Sequence, residues 1–225
     1  MDNNSIKKLP NLNTKEYWNV RYASGDWEKC EGRWQTNSFA KKQVKMLELS
    51  KSFTGTILDF GCGLGDAFPV YRDYFPSATL IGADHAEAAI VKCQKKFGNL
   101  AMFITGGVES IPDVDVIVAS NVLEHLSDDK TITRMLVQKC SELYVFVPYM
   151  ENPLCLEHIN YYDKKSFLSF DIIDMKLFAC RGWSQYGRQL WIDIYLKNIL
   201  RPFLGKHIRC RKKQIMFRIK GNKDR

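Results

Sequence analysis

The chain is 225 residues long, 45% of them hydrophobic and 26% charged, the balance of an ordinary globular protein able to bury a sizeable core. No run approaches the roughly 18 consecutive apolar residues of a membrane-spanning helix, and Met1-Asp2-Asn3-Asn4-Ser5 lacks the basic and apolar regions of a secretory signal, so a cytoplasmic location is expected. The net charge of +8 resides in residues 205–225, where Lys206, Arg209, Arg211, Lys212, Lys213, Arg218, Lys220, Lys223 and Arg225 stand against Asp224 alone.

Thr14 caps a short helix carrying Tyr17, Trp18, Val20 and Tyr22 that Gly25 ends, and Ser38 caps a second with Phe39, Val44, Leu47 and Phe53 on its buried stripe. An aromatic, polar loop with Trp27 and Trp34 joins them. From Thr56 the pattern changes. Short apolar runs at 56–60, 79–83, 101–105, 114–119 and 143–147 alternate with helical segments at 67–74, 86–97 and 128–140, stopped by Pro76, closed by Gly98 and capped by Ser127 respectively. Runs this aliphatic suit burial on both faces. Joined by right-handed crossovers, they predict a doubly wound parallel sheet with helices on both sides.

Beyond Asp163 the reading continues with a strand at 175–180, a helix at about 189–204 and a strand at 214–219, for seven strands in all. The late helix pairs Trp191 with Ile192, Tyr195 with Leu196, Ile199 with Leu200 and Phe203 with Leu204, the stripe of a core-facing helix. An interfacial helix beside anionic lipid is the alternative, because the basic tail follows directly. The tail reads as a solvated face and a strand edge protected by lysine.

One segment carries the chemistry. Ile57-Leu58-Asp59-Phe60-Gly61-Cys62-Gly63-Leu64-Gly65-Asp66 ends a strand, makes a glycine-rich turn and opens a helix. Glycines there allow positive φ and let a ligand approach the backbone, and Asp59 adds an acceptor. The dinucleotide pattern G-x-G-x-x-G fails in both registers, since Asp66 and Phe68 stand where its last glycine is required. Asp66 at the mouth of the turn would repel phosphate and accept an ammonium group. Asp84 closes the second run 19 residues after Gly65, where a carboxylate meets ribose hydroxyls. The pair describes a site for a nucleoside joined to an amino acid.

D-x-G-x-G-x-G with an acidic residue closing the next strand resembles the class I S-adenosylmethionine-dependent methyltransferases. Asp113 through Leu126, with its Val122-Leu123-Glu124-His125 segment, is similar to the fourth strand and turn of their small-molecule branch. Tyr17-Trp18 with Arg21-Tyr22, and Glu157-His158-Ile159-Asn160-Tyr161-Tyr162, resemble that branch's opening helix and the segment after its fifth strand. The likeness runs over roughly residues 15–170. It implies an α/β, Rossmann-like, mostly parallel seven-stranded sheet, with residues 1–53 as a helical cap over the active site and 54–225 as the cofactor-binding core of one structural domain. It implies S-adenosylmethionine as cofactor and S-adenosylhomocysteine as product. Asp59, Gly61, Cys62, Gly63 and Gly65 would cradle the methionine part, Asp84 the ribose, and Asn121 the space beside the methyl. Val108 and Glu109 would lie near the adenine, with His85 either touching it or capping the next helix. Many relatives carry aspartate where Gly107 stands, which leaves the adenine amino contact to backbone or to Glu109.

For a hydroxyl acceptor a base must remove a proton, and His158, after the fifth strand at the ligand-binding edge, is the first candidate; His125 is the second. The histidines at 85, 125, 158 and 207 show no H-x-x-x-H spacing, and the seven cysteines never form C-x-x-C, so no metal and no disulfide framework is expected. Ser120-Asn121-Val122-Leu123 replaces the [N/D]-P-P-[Y/F] of enzymes that methylate exocyclic amines, and Leu154 precedes Cys155 where cytosine carbon methylation needs a proline. A small molecule is therefore the expected acceptor, a sugar or lipid-linked metabolite, methylated on oxygen or nitrogen. Nucleic-acid contact is the minor reading of the tail, and peripheral membrane contact through the late helix and tail stays open. Two rivals remain: an RNA-directed or non-catalytic cofactor-binding module, and a nicotinamide-dependent oxidoreductase.

Overall fold

The computed structural model describes residues 11–179, 191–206, 208 and 212–223. Seven strands form one sheet: β1 (Thr56–Phe60), β2 (Thr79–Asp84), β3 (Met102–Thr105), β4 (Val114–Ser120), β5 (Cys140–Pro148), β6 (Ile172–Ala179) and β7 (Lys213–Lys220), in the order β3-β2-β1-β4-β5-β7-β6. β1 lies between β2 and β4 and is parallel to both, with Asp59 opposite Gly82 on one side and Val118 on the other. β7 runs antiparallel to β5 and β6.

Side chains alternate across the sheet with the strand period of two, which divides the core into two layers. Ile57, Leu80, Val116, Val118, Tyr144 and Phe146 face one layer with α3 (Gly32–Gln43), α4 (Phe68–Tyr74) and α5 (Glu87–Phe97). Leu58, Ile81, Ile117, Leu143 and Val145 face the other with α6 (Asp129–Gln138). Helices thus cover both faces, as the alternating runs predict. A third, smaller cluster joins Trp18 and Tyr22 of α1 (Lys15–Ala23) to Leu64, Ala86 and Ala89. Thr14 caps α1 as expected, its side chain accepting from the Tyr17 amide at 3.2 Å.

Several expectations are corrected. Ser38 lies inside α3, which begins at Gly32, and the supposed loop holds α2 (Asp26–Lys29). Trp27 packs closely on the first turn of α3, where a Cβ on Gly32 would lie 2.2 Å from its indole nitrogen. Asp128, not Ser127, is the N-cap of α6, and no side chain caps it; Ser127 Oγ instead donates to Asp128 Oδ2 at 3.3 Å. Cys140 opens β5 opposite Val114, so the helix ends two residues earlier.

The tail strand β7 is no edge: it is inserted between β5 and β6, with Ile215, Met216 and Phe217 buried. Its charge is partly consumed by folding. Arg218 pairs with Glu142 at 2.6 Å and Glu48 at 2.6 Å, Lys223 with Asp115 at 3.0 Å, and Lys212 with Glu151 at 2.7 Å.

The late helix is broken into a π-helical turn (Trp191–Leu196), α7 (Lys197–Leu200) and a 3-10 turn (Pro202–Leu204). Its apolar stripe does not face the core: Ile199 is 65%, Leu200 60%, Phe203 83% and Leu204 64% exposed. The expected positions Cys180, Gln189, Leu190, His207, Arg209, Arg211, Asp224 and Arg225 lie outside the described residues. No helix among the described residues is long and apolar enough to cross a membrane.

Candidate functional site at the carboxyl edge of the sheet

β1, β2 and β4 end at one edge of the sheet, and there the loops enclose a cavity of about 480 Å³. Its floor is the glycine turn. The amides of Gly61 and Cys62 both donate to the Ala83 carbonyl, at 2.7 and 3.0 Å, pinning the turn to the end of β2. Gly61 has φ +75° and a Cβ there would lie 2.2 Å from the Val122 side chain, so this position requires glycine on both counts. Gly63, at φ +52°, leaves 3.1 Å between such a Cβ and the Tyr22 hydroxyl, so α1 approaches the turn directly from above.

Asp59 and Asp84 are buried and both line the cavity. Asp84 Oδ2 accepts from the Gly63 amide at 2.9 Å and Oδ1 from the Ala86 amide at 2.8 Å, which fixes the carboxylate while each oxygen keeps a lone pair for a ligand. Asp59 differs: burial, then the charge of Asp84, lifts its carboxyl to about 8. A carboxyl stranded in this way regains its charge when a cation arrives. The ammonium end of an amino-acid ligand fits Asp59, the glycines leave room for its chain, and Asp84 suits vicinal hydroxyls.

Asp66 does not take part. It is turned from the cavity into ion pairs with Lys96 at 2.7 Å and Arg33 at 3.5 Å, so the argument from its charge against phosphate passes to Asp59. Cys62, His85, Val108, Glu109 and Asn121 all line the cavity with the residues above, as does Gly107. Gly65 is buried below it, where a Cβ would lie 3.0 Å from Cys93 Sγ. There it packs the turn against Cys93 and Phe97 of α5.

The far end of the cavity is polar. Asn121, at φ +54°, donates to Ser120 Oγ at 3.2 Å, and Gln43 Nε2 donates to the same oxygen at 2.7 Å. Gln214 Nε2 donates to Asn121 Oδ1, while Gln214 Oε1 is buried without a partner. Glu124 is fully buried with neither oxygen partnered, and burial pushes its carboxyl up to about 7 against the opposing charge of His158.

His125 and His158 meet here, ring centres 4.9 Å apart. His125 Nδ1 donates to the Glu157 carbonyl at 3.0 Å, and burial, with the charges of His158 and Arg21, holds it down to about 3. His158 Nδ1 meets Glu151. Burial alone would lower His158, but hydrogen bonds to Cys155 and Glu151 and the neighbouring carboxylates carry it up to about 10. Glu151 falls to about 2, because hydrogen bonds from His158 and Lys212 outweigh its burial. His158 therefore holds its proton at neutral pH, which does not suit the role of resting base that its position suggests.

Sequence reasoning missed Gln43, Gln214, Glu151 and the burial of Glu124. Gln214 alone left a signal, as the polar residue opening the apolar run of β7. α1 borders the cavity through Trp18 and Tyr22 and is tied to the segment after β5: Tyr17 and Arg21 both bond the Glu157 carboxylate, Arg21 donates to Tyr17 Oη at 3.0 Å, and Asn13, just before the helix, donates to the Glu157 carbonyl at 2.7 Å.

Residues 58–142 match a family described as a methyltransferase domain. No curated protein matches the chain in sequence. Among solved structures, a chain of the complex between the Haloferax volcanii Trm112 methyltransferase activator and a methyltransferase is 13% identical with a TM-score of 0.62, covering 91% of this chain and 97% of that one. Coclaurine N-methyltransferase bound to N-methylheliamine and S-adenosylhomocysteine is 10% identical with a TM-score of 0.60, covering 82% and 72%. The YcgJ protein of Bacillus subtilis is 16% identical with a TM-score of 0.57, covering 82% and 99%. At these identities the structural likeness shows the fold.

Proposed function

We propose that the chain, whose residues 58–142 match the methyltransferase-domain family, is a class I S-adenosylmethionine-dependent methyltransferase that methylates a small, hydroxyl- or amine-bearing acceptor, a sugar or lipid-linked metabolite, in the polar end of its cavity. The observation that carries this reading is Gln214 Oε1, buried and unpartnered beside Asn121. An orphaned acceptor of this kind costs about 1–3 kcal/mol until a donor reaches it, so the pocket suits a molecule rich in O–H or N–H groups. A cavity of about 480 Å³ is the size of a small-molecule site.

When bound, S-adenosylmethionine supplies a methyl group on a positively charged sulfur, open to in-line displacement. Asp59 would hold the ammonium end, Gly61, Cys62 and Gly63 the chain, Asp84 the ribose hydroxyls, and Val108, Glu109 and His85 the adenine side. Asn121 would border the methyl, its carboxamide oriented by Gln214 and Ser120. Of the expected cap, residues 1–53, the first ten lie outside the described residues; residues 11–53 would act as the cap, α1 excluding water while the acceptor is held at near-attack distance. Proton handling falls to the Glu124, His125 and His158 cluster.

The late helix and its cations are proposed as a peripheral contact for an anionic lipid surface, which would bring a lipid-linked acceptor to the cavity. The decisive experiment incubates cell extract with enzyme and methyl-labelled cofactor, then separates small-molecule, lipid, RNA and protein fractions for mass spectrometry. Label in a metabolite or lipid-linked sugar supports the reading; label confined to RNA or protein refutes it.

A further inference from the structure

The acceptor end of the cavity gathers more coordinating groups than displacement of a methyl group requires. Glu124 has no exposed surface and no partner on either oxygen. A buried carboxylate so placed is costly unless something cationic comes to it. His125 follows it on the same turn, and the segment after β5 returns His158 from 33 residues further along, so that one ligand atom from each of the three lies within 4.8 Å of the others.

We propose that Glu124, His125 and His158 bind a divalent first-row transition ion at the acceptor end of the cavity. The outer contacts support it. A carbonyl can only accept, so the proton of neutral His125 sits on Nδ1 toward Glu157 and leaves the lone pair on Nε2. His158 is committed through Nδ1 to the Glu151 carboxylate, which Lys212 holds from the other side at 2.7 Å, so an ion bound on Nε2 displaces the proton that the imidazolium carries there. A carbonyl or carboxylate on the outer nitrogen is how metal-binding imidazoles are oriented. Two imidazoles and one carboxylate suit a transition ion and leave coordination positions open.

A second grouping of Glu151, Cys155 and His158 is as compact, yet the Glu151 carboxylate is already paired by Lys212 and His158 whereas neither carboxylate oxygen of Glu124 has a partner. Bound there, the ion would polarise an acceptor hydroxyl and ease loss of its proton. This role rests on the small-molecule reading above; the binding itself does not. The expectation of no metal came from spacing along the chain, which cannot register residues brought together by a loop.

The test uses the full chain, stripped with chelator and dialysed against Mn²⁺ or Zn²⁺ alone, with metal content measured by plasma mass spectrometry. One ion per chain is expected at micromolar concentration. Glu124→Gln and His158→Ala should each lower the affinity at least tenfold and Cys155→Ser should leave it unchanged. Co²⁺ substitution of the wild-type protein gives a readout free of any variant, since a bound ion in a nitrogen and oxygen site shows d–d absorption that free aqueous Co²⁺ does not match. Calorimetry with S-adenosylhomocysteine on the same samples tests the donor site separately, so loss of one reading is distinguishable from loss of the other. Failure of the wild-type chain to retain any of the three ions, or equal uptake by Glu124→Gln, overturns the proposal.

Discussion

At the scale of single residues, Asp59 links stability to binding. Burial and the charge of Asp84 raise its carboxyl to about 8, against an ordinary value of 3.8. Between those values the folded chain binds more protons than the unfolded one, so the contribution of Asp59 to stability is negative and grows as pH rises from about 4 to about 8. Asp59→Asn removes this penalty. The ligand-free variant should therefore unfold at higher denaturant than wild type at pH 8, by about 1–3 kcal/mol, with the difference vanishing near pH 4. The same change removes the anchor for an ammonium group, so S-adenosylhomocysteine should bind about 10- to 100-fold more weakly by calorimetry, the loss of one charge-assisted hydrogen bond. Equal affinity in the variant would place the ammonium elsewhere. The sequence shows both carboxylates because each closes a strand beside a turn. It cannot show which acid is compensated, and Asp66, equally prominent in the motif, is consumed by Lys96 and Arg33.

Among the elements, the strands were legible because continuous aliphatic runs have few alternatives to burial in a parallel sheet. β1 occupies the predicted residues, and β2 and β4 differ by one at an end. The N-terminal helices were less so, since Trp27 and Trp34 look alike in sequence whether a loop or a helix carries them. What the motifs could not convey is how α1 is fastened. Arg21 lies within 6.0 Å of the Tyr17, Trp18 and Trp27 ring centres and joins Tyr17 on the Glu157 carboxylate. This latch ties α1, the proposed cap, to the segment carrying His158. Arg21→Ala should free it: release of S-adenosylhomocysteine, followed through the fluorescence of Trp18 and Trp27 in stopped flow, should quicken at least tenfold, while the loss of global stability stays near 1–3 kcal/mol, as for loss of one charged hydrogen-bonding group. Unchanged release with lowered stability would make the contact structural only.

For the whole molecule, the placement of charge decides what the tail does. Part of the positive charge that the sequence concentrates after Gly205 is drawn into the fold, because Arg218, Lys212 and Lys223 pair with Glu142, Glu48, Glu151 and Asp115. Lys197 and Lys206 are exposed within a stretch in which Ile199, Leu200, Phe203, Leu204 and Ile208 are each at least 60% exposed. The periodicity that suggests a core stripe is real, but nothing in a sequence fixes which surface a stripe meets. An apolar patch flanked by cations favours an anionic bilayer over nucleic acid, which needs basic groups without the apolar face. The full chain should therefore co-sediment with vesicles containing phosphatidylglycerol and much less with purely zwitterionic ones. Phe203→Asp with Leu204→Asp should abolish sedimentation while leaving S-adenosylhomocysteine affinity unchanged, because neither residue lines the cavity. Added salt should weaken but not eliminate the wild-type interaction, since cations contribute about 1 kcal/mol each and the apolar side chains are insensitive to screening. Equal binding by the double variant would leave the cations alone responsible and remove the helix from the membrane.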